Sequence, residues 1–164
     1  MYQRILVPVD GSSTAQRGLD EAIALARLTH GRVRVLHVID ELSLTAALDP
    51  ALALSLNWLG SLREAGAKVL DEAGARARAE GVEVETVAVD NFKRPLCAVV
   101  AEEAARWPAD LIVLGSHGRR GTERVLLGSD AERIVRQAAV PVLLVHAAHA
   151  DDAAAAPSTA AQGA

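Results

Sequence analysis

Gly115-Ser116-His117-Gly118, followed after nine residues by Gly128-Ser129, is the stretch of this chain best suited to hold a ligand. The spacing is G-x2-G-x9-G-S. Glycines let backbone approach an anion without interference from a Cβ. A Gly-Ser pair that opens a helix adds free amides, a hydroxyl and the positive end of the helix dipole. Together these features outline a phosphate cradle. It is no Walker A loop, because no Lys-Ser/Thr pair follows the glycines, and the lysines, Lys68 and Lys93, lie elsewhere. Taken alone, the same glycines also fit a turn and a helix cap.

Two further positions carry suitable chemistry. Asp10 ends a hydrophobic run in Pro8-Val9-Asp10-Gly11-Ser12. A carboxylate there can accept ribose hydroxyls, as an acidic residue does in dinucleotide-binding folds. Standing before Gly11, it equally fits an Asx turn. Val38 ends a second such run, where its backbone N–H and C=O can read an adenine edge.

Hydrophobic period supplies the elements that must bring these residues together. Arg4 to Val9 reads as a strand. Ala15, Leu19, Ala22, Ile23, Ala26 and Leu28 recur at helical spacing, which predicts a helix over Thr14 to Thr29, with Ser13 or Thr14 as N-cap and Gly31 as C-cap. Arg32 to Ile39 is a second strand. Trp58 to Glu80 is an Ala-rich helix closed by Gly81, and Val82 to Val89 is a strand suited to a sheet edge. A helix with Pro95 in its first turn runs to Arg106 and stops at Trp107-Pro108. Asp110 to Leu114 lacks polar alternation, as expected of a strand covered on both faces. Ser129 to Ala138 is the last helix and Val140 to Val145 the last strand. The segment from Asp40 to Asn57, broken by Asp49-Pro50, reads as an excursion that could shape or lid a pocket. Beyond His146 the chain is too poor in large apolar groups to pack, so one domain over 1–146 and a disordered tail over 147–164 are expected.

Strands alternating with helices imply an α/β fold with an open, doubly wound, five-stranded parallel sheet. Ligands of such sheets sit beyond the carboxyl ends of the strands, where strand order reverses. The ends after Val9, Val38 and Leu114 would converge on that crevice.

Composition removes other classes. With 17 basic and 21 acidic residues the net charge is −4, which argues against a nucleic-acid binder relying on a broad basic field. Aromatic residues make up 2% of the chain, too few for a base-stacking platform. Apolar runs such as Leu111 to Leu114 fall far short of the roughly 20 residues of a membrane helix. No secretory signal fits the first ten residues, and a lone Cys97 excludes an internal disulfide, so the expected compartment is the cytoplasm. His37 and His117 lack a third ligand at zinc spacing. His37 suits a strand end with a satisfied hydrogen bond, and Cys97 a small buried apolar position. No G-x-S-x-G elbow is present. A phosphoacceptor receiver needs a lysine after the fifth strand, where Val145-His146 supplies none.

Pro8-Val9-Asp10-Gly11-Ser12, Leu36-His37-Val38 and the G-x2-G-x9-G-S loop together resemble the universal stress protein family, over roughly Met1 to His146. The resemblance implies strand order 3-2-1-4-5 with helices on both faces, the arrangement of adenine nucleotide hydrolase-like folds. It also implies a homodimer joined through the last strand (Val140, Val142 and Leu144). The subset that keeps the glycine pattern binds ATP. That likeness would put ribose on Asp10, adenine on Val38 and phosphates on Gly115, Gly118, Gly128 and Ser129. Pro8, Val9, Leu114, Arg119, Asp130 and Ala131 would complete the lining.

One departure stands out. ATP-binding members often follow the Gly-Ser pair with a small apolar residue and then Ser or Thr, whereas this chain has Asp130 and Ala131. A hydroxyl is lost and a carboxylate gained. Asp130 can repel phosphate, share Mg²⁺ with phosphate oxygens, or serve as an acidic first-turn residue. Arg119 and Arg120 can offset its charge. Three functions remain open: a dimeric ATP-binding stress-response module with slow or no hydrolysis, a same-fold protein-interaction module that binds no nucleotide, and a Mg²⁺-dependent ATPase or nucleotidyl-transfer enzyme using Asp130.

Overall fold

The computed structural model describes residues 1–40, 57–91, 94–116 and 128–146. Within them the strands are β1 (Arg4–Pro8), β2 (Arg32–Asp40), β3 (Glu83–Asn91), β4 (Leu111–Gly115) and β5 (Val142–Val145). The helices are α1 (Ser13–Thr29), α2 (Asn57–Ala79), α3 (Leu96–Arg106) and α4 (Ser129–Gln137). All strand pairs are parallel and the order is β3-β2-β1-β4-β5, as the family resemblance implied, with β3 and β5 at the edges.

Side chains alternate across a strand, so each central strand feeds two cores. Ile5, Val7, Val33, Val35, Leu111 and Val113 pack beneath α1 and α2. Leu6, Leu36, Ile112 and Leu114 pack beneath α3 and α4, with Cys97 buried among them. The unalternated apolar runs of β1 and β4 are thus explained by cover on both faces.

The caps of α1 differ from expectation. The N-cap is Ser12, not Ser13 or Thr14. Its side chain accepts from the Ala15 amide at 3.2 Å. The left-handed C-cap residue is His30, at φ 53°, not Gly31. Gly31 is needed for another reason: a Cβ there would lie 2.9 Å from the Gln3 Cα, where the chain leaving α1 crosses the start of β1. Pro95 is the N-cap of α3 rather than a first-turn residue. The segment 41–56 and the tail 147–164 lie outside the described residues.

Helix α1 sits unusually close to β4. A Cβ on Gly18 would lie 3.3 Å from the Gly115 nitrogen, and one on Gly115 would lie 2.7 Å from the Thr14 carbonyl carbon. At the opposite end of the sheet, the Asp110 carboxylate accepts from the Gln3 and Arg4 amides at 3.0 and 2.9 Å. On the α3 side of β2, Arg34 pairs with Glu103 at 2.6 Å and with Glu85, and stacks 4.9 Å from the Trp107 ring centroid. The Trp107 indole N–H donates to Glu85 at 3.2 Å. The hydrogen bond from Arg34, aided by that of Trp107, holds the Glu85 carboxyl below the usual carboxylate range against the opposing effect of desolvation.

Two outcomes follow from this packing. Gly115→Ala forces a methyl against backbone, and overpacking of this kind costs about 1–3 kcal/mol. Its urea midpoint should fall while the far-UV circular dichroism of the folded state is kept. Glu85, with a depressed folded pKa, contributes stability that is present above its unfolded pKa of about 4.3 and is lost as pH falls through the folded value. Glu85→Gln should therefore be less stable than wild type at pH 7. That gap should narrow as urea midpoints are measured at progressively lower pH.

Candidate functional site

Strand order reverses between β1 and β4, and there the ladder is short. β1 pairs with β4 only at Ile5–Leu111 and Leu6–Ile112, whereas its pairing with β2 continues to Pro8–Leu36. Beyond Leu6 and Ile112 no further β1–β4 pair is registered, and the carboxyl ends of the two strands there are the crevice position that ligands take in open α/β sheets.

On one wall, half-buried Pro8 ends β1, and Val9 follows with its side chain in the α1/α2 core. The Val9 amide donates to the Leu36 carbonyl at 2.8 Å, and its own carbonyl faces His37 Nδ1 at 2.8 Å. Asp10 Oδ1 accepts from the Ser12 amide at 2.9 Å, so the Asx turn that the sequence allowed is present, and Ser12 then caps α1. Asp10 is half-buried at the crevice rim. Val38 lies two positions past the last β1–β2 pair yet remains laddered to β3 opposite Val89. Its side chain packs on the α3/α4 core.

The other wall is built from β4 and α4. Leu114 is buried in the core, and the space a Gly115 side chain would need is taken by Thr14. The shape of Gly115 is thus demanded by α1, a packing reason in addition to the ligand approach read from the motif. Buried Ser116 donates its amide to the Val145 carbonyl, and its carbonyl accepts from the Gly128 amide, both at 2.8 Å. That second bond fixes the amino end of α4 beside the carboxyl end of β4. Gly128 is the α4 N-cap and has no side chain with which to cap. The first amides of a helix have no intrahelical acceptor. Ser129 and Asp130 are exposed there, whereas the Ala131 side chain is buried in the α3/α4 core and leaves only its backbone for a ligand.

The structure therefore brings Pro8, Val9, Asp10, Val38, Leu114, Gly115, Gly128, Ser129, Asp130 and Ala131 to the carboxyl end of the sheet. Gly118 and Arg119 lie outside the described residues, as do His117 and Arg120. Sequence reasoning missed the contact of α1 with β4; the signal was Gly18, a glycine inside an otherwise regular helix. Among the described residues no cluster of three or more His, Cys, Asp or Glu is placed to hold a metal ion. No helix among them is long and apolar enough to cross a membrane. A cavity of about 360 Å³ lined by Arg27, His30, Glu80 and Glu83 lies at the opposite end of the sheet.

Comparison with known proteins gives this geometry a lineage. The profile of the universal stress protein family matches residues 1–146. Universal stress protein MJ0531 of Methanocaldococcus jannaschii is 34% identical over 150 residues, covering 88% of this chain and 82% of that protein. The solved structure of MJ0577 from the same organism superposes with a TM-score of 0.76 at 28% identity, covering 92% of this chain and 99% of that one. A universal stress protein of Archaeoglobus fulgidus, solved in complex with dAMP, superposes with a TM-score of 0.61 at 26% identity, over 88% and 98% of the two chains. With the family profile matched from Met1 to His146 and the same fold in its solved members, the chain belongs to the universal stress protein family.

Proposed function

We propose that this protein binds an adenine nucleotide, ATP foremost, in the crevice between the carboxyl ends of β1 and β4, and acts as a dimeric stress-response module rather than a fast enzyme. The observation that carries the reading is the Gly128–Ser116 bond, which fixes the amino end of a nine-residue helix beside the carboxyl end of β4, beyond the last registered β1–β4 pair. Helix amino ends favour phosphate through their free amides and dipole. Asp10 would accept ribose hydroxyls and the Val38 backbone would meet adenine. Gly115, Gly118, Gly128 and Ser129 would hold the phosphates, with Pro8, Val9, Leu114, Arg119 and Ala131 around them. The relative that holds dAMP supports an adenine nucleotide as the ligand class. Asp130, exposed in the first turn of α4, offers one carboxylate, which suits Mg²⁺ bound mostly through phosphate oxygens. Slow or absent hydrolysis fits a glycine loop that is followed by no Lys-Ser/Thr pair.

The exposed edge favours self-association. β5 is hydrogen-bonded to β4 on one side only, and Leu143 is 40% exposed on it. An apolar open edge invites pairing. Val140, Val142 and Leu144 line this edge, half-buried against the α3/α4 core, and would join the two copies.

Acid release from gently purified protein should give about one adenine nucleotide per chain, or titration calorimetry of the stripped protein should give micromolar ATP binding, about −8 kcal/mol. Gly118→Trp should weaken that binding at least ~100-fold with unchanged circular dichroism. No nucleotide and no heat from an intact dimer would turn the assignment to protein partners. Sedimentation should give a dimer at micromolar concentration, and Leu143→Lys should shift it towards monomer. A wild-type monomer would refute pairing through β5.

A further inference from the structure

Past the Leu6–Ile112 pair, β1 continues with a paired strand on the β2 side only. Its last ladder residue, Pro8, has no N–H to donate. The chain must nevertheless hold Asp10 still if that carboxylate is to meet a sugar. The structure does so one residue earlier. Val9 is tied to β2 twice, by its amide to the Leu36 carbonyl and by its carbonyl to His37 Nδ1, each at 2.8 Å. A carbonyl accepts, so the imidazole is a donor at Nδ1. His37 lies on the α1/α2 face of β2, is 8% exposed, and is walled in by α2: a Cβ on Gly66 would stand 2.8 Å from its Cδ2 and 3.1 Å from its Nε2. The ring has no room to swing towards the helix. Adjacent β2 residues thus serve the two ends of a nucleoside, Val38 with its backbone at the crevice and His37 with its side chain on the peptide preceding Asp10.

We propose that His37 is a positioning residue which, through Val9, sets where the Asp10 carboxylate meets the sugar, and hence the preference for a ribose that carries hydroxyls. The inference rests on the adenine-nucleotide reading above and deepens it.

The test is the ratio of affinities for ATP and 2′,3′-dideoxy-ATP, by calorimetry on the full-length protein. Hydrogen bonds to a charged group contribute enough for about 10- to 100-fold discrimination in wild type. His37→Leu keeps the bulk and removes the donor, so the ratio should fall to within about two-fold while dideoxy-ATP affinity changes little. In His37→Asn the amide nitrogen stands where Nδ1 stood, so the ratio should be largely restored although the side chain is smaller. A purely space-filling role would rank the two variants the other way. Circular dichroism verifies folding. If His37→Leu does not fold, Gly66→Ala is read in its place: it improves helix propensity but drives a methyl into the ring, and its ratio should fall too. A wild type that binds neither nucleotide overturns the nucleotide reading and this inference with it. A wild type that binds both equally, a ratio unchanged in His37→Leu, or a ratio lost equally in His37→Leu and His37→Asn overturns the role of His37 and leaves nucleotide binding standing.

Discussion

The two-residue ladder between β1 and β4 is the constraint around which this fold is arranged. A parallel pair is held by evenly spaced slanted bonds, and the registered β1–β4 pairs are two, Ile5–Leu111 and Leu6–Ile112, with the Asp110 amide donating to the Arg4 carbonyl at 2.9 Å just below them. Below them the Asp110 carboxylate takes two consecutive amides of the β1 approach, Gln3 and Arg4, and sets the depth of the junction. Above them the backbone of Val9 is held by β2, its amide by the Leu36 carbonyl and its carbonyl by His37, while its side chain packs in the α1/α2 core. The crevice is therefore not a gap left by poor packing. It is a strand end clamped on one side only, with apolar cover on both faces of the sheet.

Helix α1 closes the same junction from one face. Its first turn rests on the end of β4 so closely that neither Gly18 nor Gly115 has room for a side chain without displacing backbone. Helices packed on sheets normally keep their distance because side chains intervene; paired glycines remove that spacer. The result brings the Ser12 cap and the Asp10 turn, which precede α1, next to the start of the glycine loop that follows β4. Loss of freedom in the folded state is offset by a site whose two walls are referenced to one contact.

Most of the architecture was legible because it depends on patterns that burial imposes. Runs such as Leu111–Leu114 are apolar at every position because both faces are covered, and that alone predicts a central parallel strand. What the sequence could not resolve were choices among chemically equal neighbours. Ser12, Ser13 and Thr14 all suit an N-cap; the Asx turn that occupies the Ser12 amide decides between them, and it depends on Asp10. Gly31 fits a C-cap by type, but its actual demand comes from Gln3, nearly thirty residues earlier. The motif marks Gly115 by its spacing alone, whereas its contact with Thr14 is tertiary and leaves no local trace. His37 was legible as a hydrogen-bonded strand end, but not as the partner of Val9, since the register between β1 and β2 had to be known first.

The same logic bears on Asp130. An acidic residue in a first turn is a favourable partner for the helix dipole, and α4 carries two, Asp130 and Glu132. Glu132 is engaged by Arg136 at 2.9 Å, one turn on, which draws its charge along the helix and away from the amino end. Asp130 remains exposed at that end. A phosphate arriving there competes with Asp130 for the same positive pole. Such competition is relieved when a divalent cation lies between the two anions, because the carboxylate then becomes a ligand instead of a rival. On the nucleotide reading, Asp130 in place of a small apolar residue, with Ala131 in place of the Ser or Thr, would make binding at this helix end depend on Mg²⁺ more steeply than the usual pattern does. If the proposed nucleotide is bound there, the local charge pattern of α4 would couple its affinity to the supply of a cation.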